Sequence, residues 1–185
     1  GEATFSPDGN VIIFESASRK DVIGLTEFCE QNNKFFGNCS NIDIYISFRI
    51  GKTDNWSTAI NLGKTINTPF RDRSPFLHPD GKTLYFCSEG RGTLGGLDLY
   101  KTTRLDSTWL NWSTPVHVGR EINTIEDDWG YKVSTDGRFA FYASNDDIWV
   151  ATPLPEIARP IPMIIKSGKI TSMSGNALPQ ARIVI

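Results

Sequence analysis

An all-β chain built from repeated four-stranded sheets is the fold class this sequence predicts, and three observations carry it. The first is a phrase written three times: a short strand, a Pro-Asp-Gly-type turn, then an apolar strand. It reads FSPDGNVIIFES at residues 5–16, FLHPDGKTLYFCS at 76–88 and VSTDGRFAFYAS at 133–144. The second is the strand that follows each copy, opening at Asp43-Ile44-Tyr45, Asp98-Leu99-Tyr100 and Asp147-Ile148-Trp149. The third is a linking phrase, WSTAINLGKTINT at 56–68 and WSTPVHVGREINT at 112–124. Units that recur in this way cannot bury their apolar faces alone and must stack on one another.

The spacing defines the unit. Trp56 and Trp112 are 56 residues apart, as are Asp80 and Asp136. Asp8 and Asp80 are 72 apart, the excess falling in a polar insert between Ser16 and Asp43. About four strands per ~40–50 residues is the blade of a β-propeller. Three blades do not close a ring, since propellers have about four to eight. The chain therefore reads as a partial β-propeller: about three four-stranded blades, the C-terminal half of a ring of roughly six.

Each element follows from its residues. Inner strands are expected at 3–6, 74–78 and 131–134, ending at the turn. Pro presets φ at one turn position and Gly tolerates positive φ at another. Thr135 replaces Pro in the third copy, leaving Asp136 and Gly137 to make the bend. The second strands are almost continuously apolar, which predicts burial on both faces. Phe14, Phe86 and Phe141 are expected at matching points of successive sheets. Third strands start at Asp43, Asp98 and Asp147. Outer strands are expected near 57–62 and 113–118, more polar because they form a rim. The third blade has no such phrase after it. A weak helical turn within 25–31 is the only helical expectation.

The grammar changes after Thr152. Residues 1–152 read as propeller, 153–162 as a stiff, extended Pro-rich spacer, and 163–185 as the first strands of a β-sandwich. An opened ring leaves blade faces bare, which predicts low solubility for the piece alone.

Composition bounds the function. With 39% hydrophobic and 11% aromatic residues the chain has the material for a packed core. The net charge of −2 and the lack of a basic stripe exclude nucleic acid as a partner class. No apolar run approaches the ~18 residues of a membrane span. Gly1 opens inside a strand phrase rather than a leader, so the chain reads as a piece of something longer and is silent on its compartment. Cys87 lies in an apolar strand and reads as a small buried hydrophobe. Cys29 and Cys39 flank the Asn-rich insert. A disulfide between them would close a short loop and point to an oxidising compartment; two unpaired thiols are the alternative.

Stretches 73–88 (RSPFLHPDGKTLYFCS) and 95–102 (GGLDLYKT) resemble the Tol-B-type, WD-like β-propeller repeat. The linking phrase ending in INT, followed by acidic residues, looks like the version in periplasmic OmpA-family proteins of type IX-secreting, gliding bacteria. Residues 168–185 (GKITSMSGNALPQARIVI) are similar to the opening of the carboxypeptidase-regulatory-like sandwich that follows the propeller in those proteins. The resemblance implies a non-catalytic scaffold, periplasmic and associated with the outer membrane, that binds protein partners of the cell envelope. Peptidoglycan would be reached only through a domain not in this chain, and no cofactor is implied. The alternatives are a substrate-binding propeller of a carbohydrate- or peptide-processing enzyme, or a Tol-B-like lipoprotein-binding module.

Candidate sites are few. His78 and His117 occupy repeat positions filled elsewhere by Ser or Asn, which disfavours a catalytic pair; neither G-x-S-x-G nor H-E-x-x-H occurs. The runs Glu126-Asp127-Asp128 and Asn145-Asp146-Asp147 invite a calcium reading, but a linear run supplies too few converging oxygens. Recurrent aspartates more simply cap loops. Arg71, Asp72, Arg73, Asp127, Asp128 and Trp129 are expected on loops leading into the inner strands, near one mouth of the channel. There a non-repeated tryptophan serves either as a partner anchor or as packing. The insert 17–41, with Phe28, Phe35 and Phe36, is the second candidate contact.

Overall fold

The computed structural model describes residues 1–17, 23, 41–161 and 163. The expected disulfide of Cys29 and Cys39, the contacts of Phe35 and Phe36, the helical turn at 25–31 and the sandwich strands fall outside the described residues.

Among the described residues, eleven strands form three antiparallel sheets. The first blade has order β1-β2-β3-β4, from Ala3–Phe5, Val11–Ser16, Asp43–Phe48 and Ile60–Asn61. The second repeats it as β5-β6-β7-β8, from Asp72–Leu77, Thr83–Ser88, Asp98–Thr103 and Val116–His117. The third has β9 (Asp128–Val133), β10 (Ala140–Ser144) and β11 (Asp147–Ala151), with no fourth strand among the described residues. The all-β, partial propeller-like fold and the three-stranded last blade agree with the repeat pattern.

All three turns are closed in the same way. The N–H of Gly9, Gly81 and Gly137 donates to the carbonyl of Ser6, His78 and Ser134 at 2.8–3.0 Å, with each Gly at φ between 66 and 70°. Thr135 costs the third turn nothing visible, because the aspartate bonds the backbone ahead of it. Asp8 accepts from the N–H of Asn10, Asp80 from Lys82 and Asp136 from Arg138.

β6 shows why the sheets stack. All six of its residues are buried. Leu84 and Phe86 point into a core shared with Val11, Ile13, Ile44, Ile46 and Ile66 of the first unit. Tyr85 and Cys87 point the other way, into a core with Leu99, Ile122, Tyr131, Ala140 and Tyr142. The strand is thus the middle layer of two interfaces. Cys87 is a free thiol in the second one, where burial pushes it up to about 12.

The linking phrase is a clamp between blades. Asn67 accepts from the N–H of Ile44 and donates to its carbonyl, at 2.8 and 2.9 Å. Asn123 treats Leu99 identically, at 2.8 and 3.0 Å. One residue on, the N–H of Thr68 donates to Asp72 and that of Thr124 to Asp128, at 2.5 and 2.6 Å. The phrase therefore ties the third strand of one blade to the first strand of the next.

Four expectations are corrected. Inner strands β5 and β9 begin at Asp72 and Asp128, so Asp72, Arg73, Asp128 and Trp129 lie in strands rather than on the preceding loops. The outer strands shrink to Ile60–Asn61 and Val116–His117, with Trp56 and Trp112 held by isolated bridges to Arg49 and Arg104. Phe14 and Phe86 do match, facing Tyr45 and Tyr100, but the third member is Tyr142 facing Trp149. Phe141 pairs with Val150 on the opposite face and is half exposed. Residues 153–161 do not run as a free extended spacer. Leu154, and Ala158 at the end of a short 3₁₀ turn (Glu156–Ala158), are buried in the core of the second and third blades, and Tyr85 donates its hydroxyl to the Ala158 carbonyl at 2.9 Å. They enter that interface after β11 as Trp109 and Trp112 enter the first after β7.

The corrected register yields an expected pair of outcomes. Phe86→Ala should cost about 3–5 kcal/mol of unfolding free energy. Phe141→Ala should stay within about 0.5 kcal/mol. Urea titration of the two variants checks both.

Candidate functional site

The six candidate residues near the mouth separate into two groups. Asp72 and Asp128 are fully buried and face inward. Each accepts from the N–H and hydroxyl of the threonine four residues before it, Thr68 or Thr124. Burial raises both carboxyls above their ordinary range, Asp72 to about 7. Bonds from Ser88 and Thr68 and the charge of Arg91 oppose that rise at Asp72. Arg91 is itself anchored under the first linking phrase, donating to the carbonyls of Thr65 and Ile66 at 2.7 and 2.8 Å.

The other group forms a surface. Arg71 pairs with Glu89. The guanidinium of Arg73, in β5, sits 5.9 Å from the ring of Trp129 in β9 and 3.6 Å from the Glu15 carboxylate. Trp129 is 41% exposed and Ile125 77% exposed. With Gly96, Glu126, Asp127, Asn145 and Asp146 they line an open cleft of about 430 Å³ at the junction of the second and third blades.

Local chemistry explains why this surface is held still. Asp127 accepts the N–H of Leu97 at 2.8 Å and so pins the loop entering β9 to the start of β7. A Cβ on Gly95 would sit 1.9 Å from the Ile125 carbonyl oxygen, and one on Gly96 1.9 Å from the Asp127 carboxylate. Only glycines let the two loops pack this closely. Asn145 and Asp146 form the two-residue turn between β10 and β11 at φ 51° and 60°. These are the residue types that tolerate a type I′ hairpin. The two acidic runs therefore spend their oxygens separately: Asp127 on Leu97, Asp128 on Thr124, and Asp147 on the N–H of Ile148.

Both histidines do structural work that other residues do in the sister repeats. His117 bonds Asp98 at 2.8 Å, as Asn61 donates to Asp43 at 2.7 Å. His78 accepts from the N–H of Asp80 and lies 3.1 Å from its carboxylate, where Ser6 and Ser134 donate to Asp8 and Asp136. Asp80 is lowered to about 2; burial pushes the other way and is outweighed by hydrogen bonds to its carboxylate, among them those from the Thr83 hydroxyl and the N–H groups of Thr83 and Lys82.

The sequence reading missed Asn67, Asn123, Arg91 and Glu15. The asparagines had a visible signal, the recurring INT. Glu15, buried and accepting the N–H of Ser74 at 2.6 Å, had none.

No family model and no curated protein matches the chain. Among solved structures, the chain is similar to TolB from Acinetobacter baumannii, at 14% identity and a TM-score of 0.47. The match covers 83% of this chain and 32% of that one, so the chain spans about a third of that protein.

Two outcomes follow. Asp72 holds a proton in the folded state that the unfolded chain releases near 3.8. Its contribution is thus full below about pH 4 and is lost as pH rises through about 7. Relative to Asp72→Asn, the native chain should lose urea stability between pH 5 and 8, taken roughly as the flanks of that window. His117→Asn should unfold within about 0.5 kcal/mol of the native chain, and His117→Leu should lose about 1–3 kcal/mol by leaving the buried Asp98 carboxylate with the N–H of Leu94 but without its side-chain partner; thermal melts separate the two.

Proposed function

We propose that this chain is a non-catalytic recognition scaffold of the cell envelope, whose stacked blades hold the Ile125–Trp129 surface out to a protein partner. The observation that carries the reading is the contrast at the mouth. Titratable residues that resemble catalytic groups are consumed by repeat-wide structural bonds, whereas the non-repeated Ile125 and Trp129 stay exposed on a rigid floor. Exposed aromatic and aliphatic anchors flanked by charge are what a protein interface uses. A substrate-processing role would instead call for a nucleophile–base pair or converging carboxylates free to react. Here His78, His117, Asp72 and Asp128 each already serve a backbone or a neighbouring side chain.

The finer assignment is a periplasmic, outer-membrane-associated component of a type IX secretion or gliding assembly. It is supported by the resemblance of the INT linking phrase and of residues 168–185 to that class of protein. Within such an assembly the propeller would dock a protein, and any attachment to the cell wall would fall to another part of the parent molecule.

In photo-cross-linking from an envelope extract, the native chain should capture a discrete protein. The double variant Ile125→Glu, Trp129→Ala should capture roughly tenfold less, an anchor-sized loss, while melting at the native temperature. Equal capture by a variant that folds normally would rule this surface out.

A further inference from the structure

We propose that Arg73, fixed by Glu15, is a positioning residue for Trp129, bracing the indole so that it stands at the cleft as a preformed anchor. The inference rests on the docking surface proposed above and adds what holds its aromatic in place. Trp129 has little support from its own sheet. Its partner across the ladder in β10 is Ala143, and its successor is Gly130 at φ 68°. It enters no ring–ring contact with the described residues. Its indole N–H makes no hydrogen bond among them either, whereas Trp112 and Trp149 donate theirs to the carbonyls of Trp109 and Ser144. A ring so placed is free to rotate unless something outside the sheet stops it, and ordering it on binding costs affinity.

The group that meets the ring comes from the neighbouring blade. Trp129 lines the cleft and Arg73 does not, yet the guanidinium of Arg73 is 5.9 Å from the ring centroid, within the range of a cation–π contact. The same pairing recurs inside the first two blades, Arg49 over Trp56 at 5.1 Å and Arg104 over Trp109 at 4.0 Å. Each of those arginines is pinned by its Nε, which donates to the carbonyl of Gly9 or Gly81. The Nε of Arg73 is buried and has no such acceptor among the described residues. Its pin is the Glu15 carboxylate, 3.6 Å from the Arg73 Nη2.

Glu15 acts twice on this arginine. One carboxylate oxygen faces the guanidinium, and the other accepts the N–H of Ser74 at 2.6 Å. Ser74 sits at φ 53°, where the pairing of β5 with β6 shifts register between Arg73 and Phe76. A bulge of this kind re-aims a side chain, and a residue other than glycine keeps that conformation only with support from its surroundings. Glu15 in the first blade therefore secures both the backbone and the charge that direct Arg73, in the second, onto Trp129 in the third. The geometry of the anchor is inherited from the stack rather than from its own strand.

Fluorine NMR of the chain grown with fluorotryptophan reads the brace directly, the Trp129 line being assigned with Trp129→Phe. Arg73→Ala and Glu15→Gln should each move that line toward the position of a free indole and leave the other tryptophan lines in place. Arg73→Lys, which keeps a cation between Glu15 and the ring, should restore most of the native position. In photo-cross-linking from an envelope extract, Arg73→Ala should yield roughly three- to tenfold less of the species lost in Ile125→Glu, Trp129→Ala, the worth of one side chain ordered in advance, at an unchanged melting temperature. A Trp129 line unmoved by Arg73→Ala or by Glu15→Gln overturns the proposal, and so does a moved line with undiminished capture. Failure of the docking reading looks different: the Ile125→Glu, Trp129→Ala variant then captures as well as the native chain, and the NMR line alone judges the brace. Should Arg73→Ala fail to fold because Glu15 is left as a buried lone charge, the double variant Glu15→Gln, Arg73→Ala takes its place with the same expected results.

Discussion

Two-sided burial of the second strand is the constraint on which this molecule depends. A strand such as β6, with all six residues out of water, is stable only between two other apolar layers. No single blade provides both. The consequence is a chain of obligatory neighbours, in which stability resides at interfaces rather than inside units. The INT clamp, the buried Asp72 and Asp128, and the docked Leu154 and Ala158 all act at these seams. The polar interactions follow the apolar ones: once backbones are pressed together, every amide at the seam requires a partner, and the asparagines and aspartates supply it.

That logic also accounts for the substitutions between copies. A seam position demands a bond and a volume rather than a residue type, so Asn61 and His117 are interchangeable in role, as are Ser6, His78 and Ser134. Function is then free to appear where the copies differ. Ile125, Trp129 and the β10–β11 turn belong to no repeat pattern, and all of them face solvent.

Much of the architecture was legible because its signals are local. The Asp-Gly turns and the aspartates opening the third strands each follow from a few adjacent residues. What escaped depended on residues distant in sequence or on phase. Asp72 and Asp128 look like loop aspartates until Thr68 and Thr124 are seen bonding them, which hides the true start of β5 and β9. Phe141 was set one place out of register because FAFY is apolar throughout; without alternation, nothing in the strand fixes which side faces which sheet. Prolines in 153–161 advertise an extended tether, while the outcome is decided by the two side chains, Leu154 and Ala158, that find a core. At the candidate site, the aromatic was legible but the glycine floor beneath it was not, because close approach of Gly95 and Gly96 to the loop at 125–127 is a tertiary event.

The docking of residues 153–161 alters how this protein would transmit force. A flexible tether absorbs a pull by straightening, and only afterwards loads what it is tied to. Here the backbone is fastened at Leu154, at Ala158 and by Tyr85 before it passes Ile161, so tension applied beyond that point arrives directly at the seam between the last two sheets. The stretch behaves as a bracket rather than a leash, and the seam it braces is the one that carries Trp129.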